Sequence, residues 1–287
     1  MLTLVEAISL AGDRAKQNDD AMGAAGECAW VIDGATDLHD APLTDAASDA
    51  AWLAASLNTS LYDMAATYYR FGADEGDMQT SLHHSAEFVL ADFSRHADPD
   101  HLERWRLPTA SVLTISEYEG EVVGIDLGDC RCFALDAANA SHAVGGPPQA
   151  ADQESKRAAV AATKAGDTPL LKHADTLDYL RGVRAKHNTT DGYWVFGLNP
   201  DCAFHARAWR LNLARPAHIL LCTDGFSALV DRYEAYDAAG LVNAAREKGL
   251  QALGGELREI ESQDASSAKH PRWKRSDDAT ALLLRLT

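Results

Sequence analysis

Residues 27–34, ECAWVIDG, and residues 218–226, HILLCTDGF, decide the fold. Each is an apolar run bounded by a turn signal, which reads as a buried strand. Each stops at Asp-Gly, so the strand delivers a carboxylate, Asp33 or Asp224, to the rim of a sheet. The pattern recurs in reverse at the C-terminus, where Asp277 and Asp278 directly precede the apolar run 279–286, ATALLLRL. Asp19 and Asp20 fall near the end of a polar first loop, AGDRAKQNDDAMG, and Asp126 and Asp129 flank another strand end and its turn. Singly, Asp-Gly after a strand is a common turn, and Asp277-Asp278 is a plausible solvated strand start. As a set they say more. Carboxylates gathered at one rim repel unless cations sit among them. Hard cations such as Mg²⁺ and Mn²⁺ prefer oxygen ligands. Two of them about 3.5–4 Å apart can share and deprotonate a water for in-line attack on phosphorus.

Working outward, residues 2–10 read as a strand. A helix is predicted from Thr44, as its N-cap, to residue 71, with Trp52, Leu53, Leu57, Leu61, Met64 and Tyr68 on one stripe. A second is predicted over 75–95, carrying Met78, Leu82, Ala86, Val89 and Phe93. Short strands at 110–117, 121–126 and 131–135 read as an antiparallel meander. Residues 136–170 are rich in Ala, Gly, Pro and charge, and read as a long surface excursion, partly helical around 152–164. A helix at 170–187, strands at 193–196, 204–211 and 218–222, helices at 234–247 and 250–263, and the closing strand complete the chain. Strands in clusters separated by helix pairs are an α+β pattern, with sheets covered by helices on their outer faces.

The 287 residues suit one domain, 1–287, and no linker divides them. With 26 basic against 43 acidic residues, the chain carries a net charge of −17. That balance argues against nucleic acid or an anionic membrane as partner. Five cysteines without metal-ligand spacing read as reduced core residues. The N-terminus has no basic flank before its apolar stretch, and no segment is long and apolar enough to span a bilayer, so a cytoplasmic location is expected. The pair His83-His84 reads as a solvated helix face, and Trp194, Phe196, Phe204 and Trp209 as core or an aromatic wall. His39 lies close enough in sequence to reach the site. The run 269–275 reads as a solvated basic loop, placed to attract an anion.

In order, the motifs resemble the protein phosphatase 2C family of metal-dependent Ser/Thr phosphatases. Arg14 precedes Asn18-Asp19-Asp20-Ala21, WVID leads to Asp33-Gly34, and two helices follow. Thr109-Ala110-Ser111 opens a strand, Gly128-Asp129-Cys130-Arg131 stands for Gly-Asp-Ser-Arg, LLCTDGF repeats Asp-Gly, and Asp277-Asp278-Ala279-Thr280 closes the set. The resemblance covers nearly the whole chain. It implies a four-layer αββα sandwich and hydrolysis of a phosphomonoester by a hydroxide bridging two Mn²⁺ or Mg²⁺ ions. By position, Asp33 bridges the ions, Asp20 and the Gly34 carbonyl serve one, and Asp224 and Asp277 the other. Asp129 helps hold a third, weaker ion. Arg14 grips the phosphate through its bidentate fork, while Asn18, Asp19 and Asp278 orient ligands and waters. The implied partner is a phosphorylated protein substrate.

Three departures stand out. Ala35-Thr36-Asp37 replaces the family's (His/Met)-Gly-Gly, Asp278 replaces its closing Asn, and Arg14 lies one residue further from the acidic pair. With Ala35 where some family members have a histidine, the resemblance leaves protonation of the leaving oxygen to metal-bound water. The rival readings are a degenerate module that binds phosphoproteins without turning them over, and a phosphoesterase for a small metabolite.

Overall fold

A computed structural model describes residues 1–147 and 173–287. The strands are β1 (Leu2–Leu10), β2 (Asp20–Ala25), β3 (Cys28–Gly34), β4 (Thr109–Tyr118), β5 (Glu121–Leu127), β6 (Arg131–Leu135), β7 (Ser141–Gly145), β8 (Phe196–Gly197), β9 (Arg207–Leu211), β10 (Ala217–Cys222) and β11 (Ala279–Leu286). The helices are α1 (Asp49–Thr67), α2 (Glu75–Phe93), α3 (Ala174–Arg184), α4 (Asp224–Asp231), α5 (Ala238–Lys248) and α6 (Leu250–Gln263).

Two antiparallel sheets result, ordered β1-β11-β10-β6-β7 and β2-β3-β4-β5-β9, with β8 paired to the start of β4. The central strands are apolar on both faces because both faces are covered. On β3, Ala29 and Val31 point between the sheets, where they meet Leu113, Ile219, Leu221, Leu282 and Leu284. Trp30 and Ile32 point the other way, under Leu53 and Leu57 of α1 and Leu82, Val89 and Phe93 of α2. On β10, Leu220 and Cys222 face outward under Phe226, Leu241, Leu253 and Leu257 of α4 to α6. The result is the four-layer αββα sandwich. All five cysteines are buried and unpaired.

Several local expectations are corrected. The meander fails at its third strand: β4 pairs with β5, but β6 crosses to the other sheet and pairs with β10. Gly128 makes the crossing at φ +89, where a Cβ would lie 2.2 Å from Ser111 Oγ. A short Gly-Asp connection looks the same in sequence whether it folds a hairpin or passes between sheets. Helix α1 starts at the N-cap Ser48 rather than Thr44 and ends at Thr67. Thr44 is buried and donates its hydroxyl to Asp49 Oδ1 at 2.7 Å. Strand β2 was hidden in the polar loop because DAMGAA lacks β-branched and aromatic residues. Its Gly23 lies opposite Trp30, whose ring would crowd a Cβ to 2.3 Å.

Within the expected excursion 136–170, residues 141–145 are the edge strand β7 on β6, while the helix expected around 152–164 lies outside the described residues. The helix expected at 170–187 is α3, Ala174–Arg184. Of the strand expected at 193–196 only residue 196 pairs, in β8, and residues 204–205 of the strand expected at 204–211 belong instead to a 3-10 turn, Pro200–His205, before β9. No helix among the described residues is long and apolar enough to cross a membrane.

Candidate metal-binding active site

Strand pairing brings the first two acids together. In the β2–β3 ladder Asp20 stands opposite Asp33, and in the β3–β4 ladder Asp33 stands opposite Ser111. Ser111 donates its hydroxyl to Asp129 Oδ1 at 2.6 Å, which draws the sheet crossing to the same spot. The second sheet supplies the rest. Asp224 is the first residue of α4, and its amide donates to Asp33 Oδ2 at 3.3 Å. The preceding Thr223 donates its hydroxyl to Asp20 Oδ2 at 2.8 Å, and the amide of Thr280 on β11 donates to Thr223 Oγ1 at 3.0 Å. Asp277, just before β11, completes the group.

Both Asp-Gly steps owe their glycine to close backbone approach. A Cβ on Gly34 would sit 2.4 Å from the Asp19 carbonyl oxygen, and one on Gly225 would sit 1.9 Å from that of Asp278. Neither step is a turn: the Gly34 amide donates to the Asp19 carbonyl at 3.1 Å, and Asp224-Gly225 opens a helix.

The remaining acids and Asn18 hold this frame. The Asp278 carboxylate accepts from the amides of Gly12 and Asp19, each at 2.7 Å, and so ties the first loop to β11. Asn18 accepts from the Asp20 amide at 2.9 Å and donates to Ser9 at 2.8 Å. Asp19 accepts the Ser48 hydroxyl at 2.7 Å, which joins the loop to the N-terminus of α1. Arg14 is exposed on that loop, with no ion pair or hydrogen bond to the described residues.

The electrostatics follow from crowding. Burial pushes the Asp33 carboxyl well above the usual range, and Asp224, Asp20, Asp129 and Asp277 push it further. Burial also raises Asp20, partly offset by hydrogen bonds from Thr223 and Thr280. Its Oδ1 is buried with no hydrogen-bond partner among the described residues. Asp224 is pushed up to about 7 by burial, then by Asp277 and Asp129, while Arg232 pulls it down. Asp19 is pushed up to about 6, chiefly by burial. Asp277 goes the other way: burial would raise it, but the Lys274 ammonium beside it holds it below the usual range.

Lys274 and Arg232 are the side chains that reading the sequence missed. Lys274 Nζ lies 2.5 Å from Asp277 Oδ1, and Arg232 Nη2 lies 3.9 Å from Asp224 Oδ2. The signal for Lys274 was its place three residues before Asp277. The run 269–275 is also not simply a solvated loop, since Arg272 within it is buried and ion-paired to Asp264 at 2.8 Å. His39 does not join the five acids. Its Nδ1 lies 2.8 Å from the Ala41 carbonyl and its Nε2 3.4 Å from Asp49, in a separate group with Asp37. Asp49 there already accepts from the amides of Leu43 and Thr44. His83 stacks edge-on against Phe204, Phe196 is buried, and Trp209 donates to Asp126.

No family model matches this chain, and no curated protein matches it in sequence. Solved structures do match it in three dimensions. The Mycobacterium tuberculosis serine/threonine phosphatase PstP/Ppp superposes with a TM-score of 0.61 at 14% identity, over 99% of this chain and 98% of that one. The chain has the fold of the PPM Ser/Thr phosphatases. MsPP of Mycobacterium smegmatis, a PPM phosphatase solved with cacodylate, gives 0.58 at 15% identity, over 99% and 100%. The PstP catalytic domain solved with two manganese ions gives 0.56 at 15%, over 99% of each chain. The resemblance read from the ordered motifs therefore holds for the PPM fold across the whole chain.

Proposed function

We propose that this chain is a metal-dependent phosphomonoester hydrolase, and specifically a protein Ser/Thr phosphatase. The observation that carries the reading is the convergence of Asp20, Asp33, Asp224 and Asp277 from two sheets, with Asp33 driven strongly toward its protonated form and Asp20 Oδ1 left without a partner. An orphaned carboxylate oxygen in a crowded acidic cleft fits a hard divalent cation. Asp20, Asp33 and the Gly34 carbonyl would hold one Mn²⁺ or Mg²⁺, Asp33, Asp224 and Asp277 a second, and Asp129 would help hold a third. Bound there, such ions would supply Lewis acidity and a water acidic enough to attack phosphorus near neutral pH.

The chain's own residues do the rest. Asp33 lies between the two halves and fixes their spacing. Asn18, Asp19 and Asp278 lock the first loop against β11 and α1, so Asp20 is held while Arg14 stays free to take two phosphate oxygens through its fork. His39 is engaged by Asp49 and Ala41 rather than by the five acids. The named phosphatase neighbours favour a phosphoprotein substrate over a small metabolite, and the five unpaired buried cysteines suit a reducing compartment such as the cytoplasm.

Hydrolysis of p-nitrophenyl phosphate and of a phosphothreonine peptide, with Mn²⁺ and then with chelator, tests the reading. Turnover that needs Mn²⁺ and prefers the peptide supports it; turnover unaffected by chelator overturns it. A second reading, a degenerate phosphoprotein-binding module, is favoured by the ammonium already seated on Asp277. It predicts phosphopeptide binding without turnover at saturating Mn²⁺.

A further inference from the structure

The acidic cluster is compensated on one side only. Asp20 and Asp33 form no ion pair with any described residue, and Asp20 Oδ1 has no hydrogen bond either. On the other side, Lys274 Nζ sits 2.5 Å from Asp277 Oδ1 and Arg232 lies 3.9 Å from Asp224.

Lys274 is not a loose surface lysine that happens to touch an acid. Its loop is pinned from within by Arg272, which donates to Asp264 Oδ2 at 2.8 Å and to the carbonyls of Arg275, His270, Glu261 and Asp264. On the far side Trp273 packs against Tyr179 of α3, ring centroids 6.3 Å apart. The loop thus presents the lysine stem to Asp277 from a fixed backbone. Only part of the side chain, 30%, is exposed. The same Asp277 Oδ1 also accepts the Asp278 amide at 3.0 Å.

We infer that Lys274 is a built-in counter-cation of the Asp224–Asp277 half, so that this half takes its divalent ion second and more weakly, against the charge of the ammonium on Asp277. The inference rests on the proposed metal-binding reading of the cluster. An ammonium that already neutralises a carboxylate weakens its attraction for a second cation and repels the incoming ion. The Asp20–Asp33 half has no such ammonium beside it among the described residues.

The test is titration of the whole chain with Mn²⁺ alone, by calorimetry and by the electron paramagnetic resonance of free manganese. The wild type should show a tighter and a weaker class of site. In Lys274→Met the weaker class should tighten about tenfold or more, as expected when a like charge beside the incoming ion is removed. The tighter class should stay within about twofold, well below the tenfold that 1.4 kcal/mol represents. Lys274→Arg, which keeps the cation, should retain the wild-type order. Melting gives a second readout: metal-free Lys274→Met should unfold at lower temperature than wild type, with the gap closed at saturating Mn²⁺. Lys274→Gln repeats both measurements if the methionine variant folds poorly. A weaker class that is unchanged or loosened in both variants overturns the inference and leaves the metal site standing. A wild type that binds no Mn²⁺ overturns both.

Discussion

Asp33-Gly34 and Asp224-Gly225 are the same dipeptide at the end of the same kind of buried strand, yet the chain leaves them in different ways. After Gly34 it enters a loop, tied by the Ala35 amide to the Thr109 carbonyl at 2.9 Å. After Gly225 it winds into α4, whose Phe226 and Leu229 seal the outer core. What the two share is tertiary. Each glycine lies under the backbone of an acidic pair from elsewhere in the chain, Asp19-Asp20 in one case and Asp277-Asp278 in the other. The dipeptide marks a place where two chain segments touch, and the aspartate is delivered into that contact. The two carboxylates differ in their company: Asp33 is surrounded by other acids, whereas Asp224 has Arg232 within 3.9 Å.

The largest expected difference between the two steps is in metal occupancy. Asp33→Asn should abolish Mn²⁺-dependent hydrolysis and both classes of Mn²⁺ site, because that carboxylate is the one proposed to serve both halves. Asp224→Asn should abolish hydrolysis but keep the tighter site. Calorimetry separates the two, and an Asp33→Asn protein that still binds two ions breaks the distinction.

Next in size are the glycines. Gly34→Ala and Gly225→Ala should each lose about 3 kcal/mol or more in denaturant unfolding, since backbone rather than a flexible side chain blocks the added carbon. Gly255→Ala, in open space on α6, should be neutral or gain up to about 1 kcal/mol from helix propensity.

The pH response is smaller and has a definite sign. Asp224 is pushed up to about 7, from an ordinary value of 3.8. Its folded form therefore holds a proton that the unfolded chain has already lost, and stability falls as pH rises through 7. Buried His187, lowered to about 3, acts oppositely, but its contribution is complete by pH 6.5, its ordinary value. The melting temperature of chelator-treated protein should drop between about pH 6.5 and 8. Saturating Mn²⁺ should flatten that slope, and a metal-free protein whose melting temperature rises over the same interval contradicts the assignment.

The smallest expected effect is at the start of α1. Ser48→Ala removes the cap and the hydroxyl given to Asp19, and should cost about 1 kcal/mol with a modest loss in Mn²⁺ affinity.

Much of the fold was legible because it is written in burial. Strands β3, β10 and β11 are apolar on both faces, and only a sheet covered on both sides gives that pattern; the stripes of α1 and α2 named the cover. Strand β2 escaped because an edge strand of small residues packing around Trp30 needs no β-formers of its own. The crossing at Gly128 escaped because pairing partners distant in the chain, β6 with β10, leave no local trace. The acids of the site were legible as acids at strand ends. Lys274 was read as one member of a basic run because its place three residues before Asp277, the one signal it had, does not say whether the side chain reaches that acid or water.

Local chemistry alone thus determined the strand cores, the helix stripes and the residue types at the rim, since hydrophobic period and turn residues act over a few neighbours. Only the tertiary structure decided which strands pair, that two glycines serve contact rather than turning, and that one half of an acidic cleft carries its own cations while the other does not. Those outcomes depend on distances between residues up to hundreds of positions apart, and side-chain period carries no information at that range.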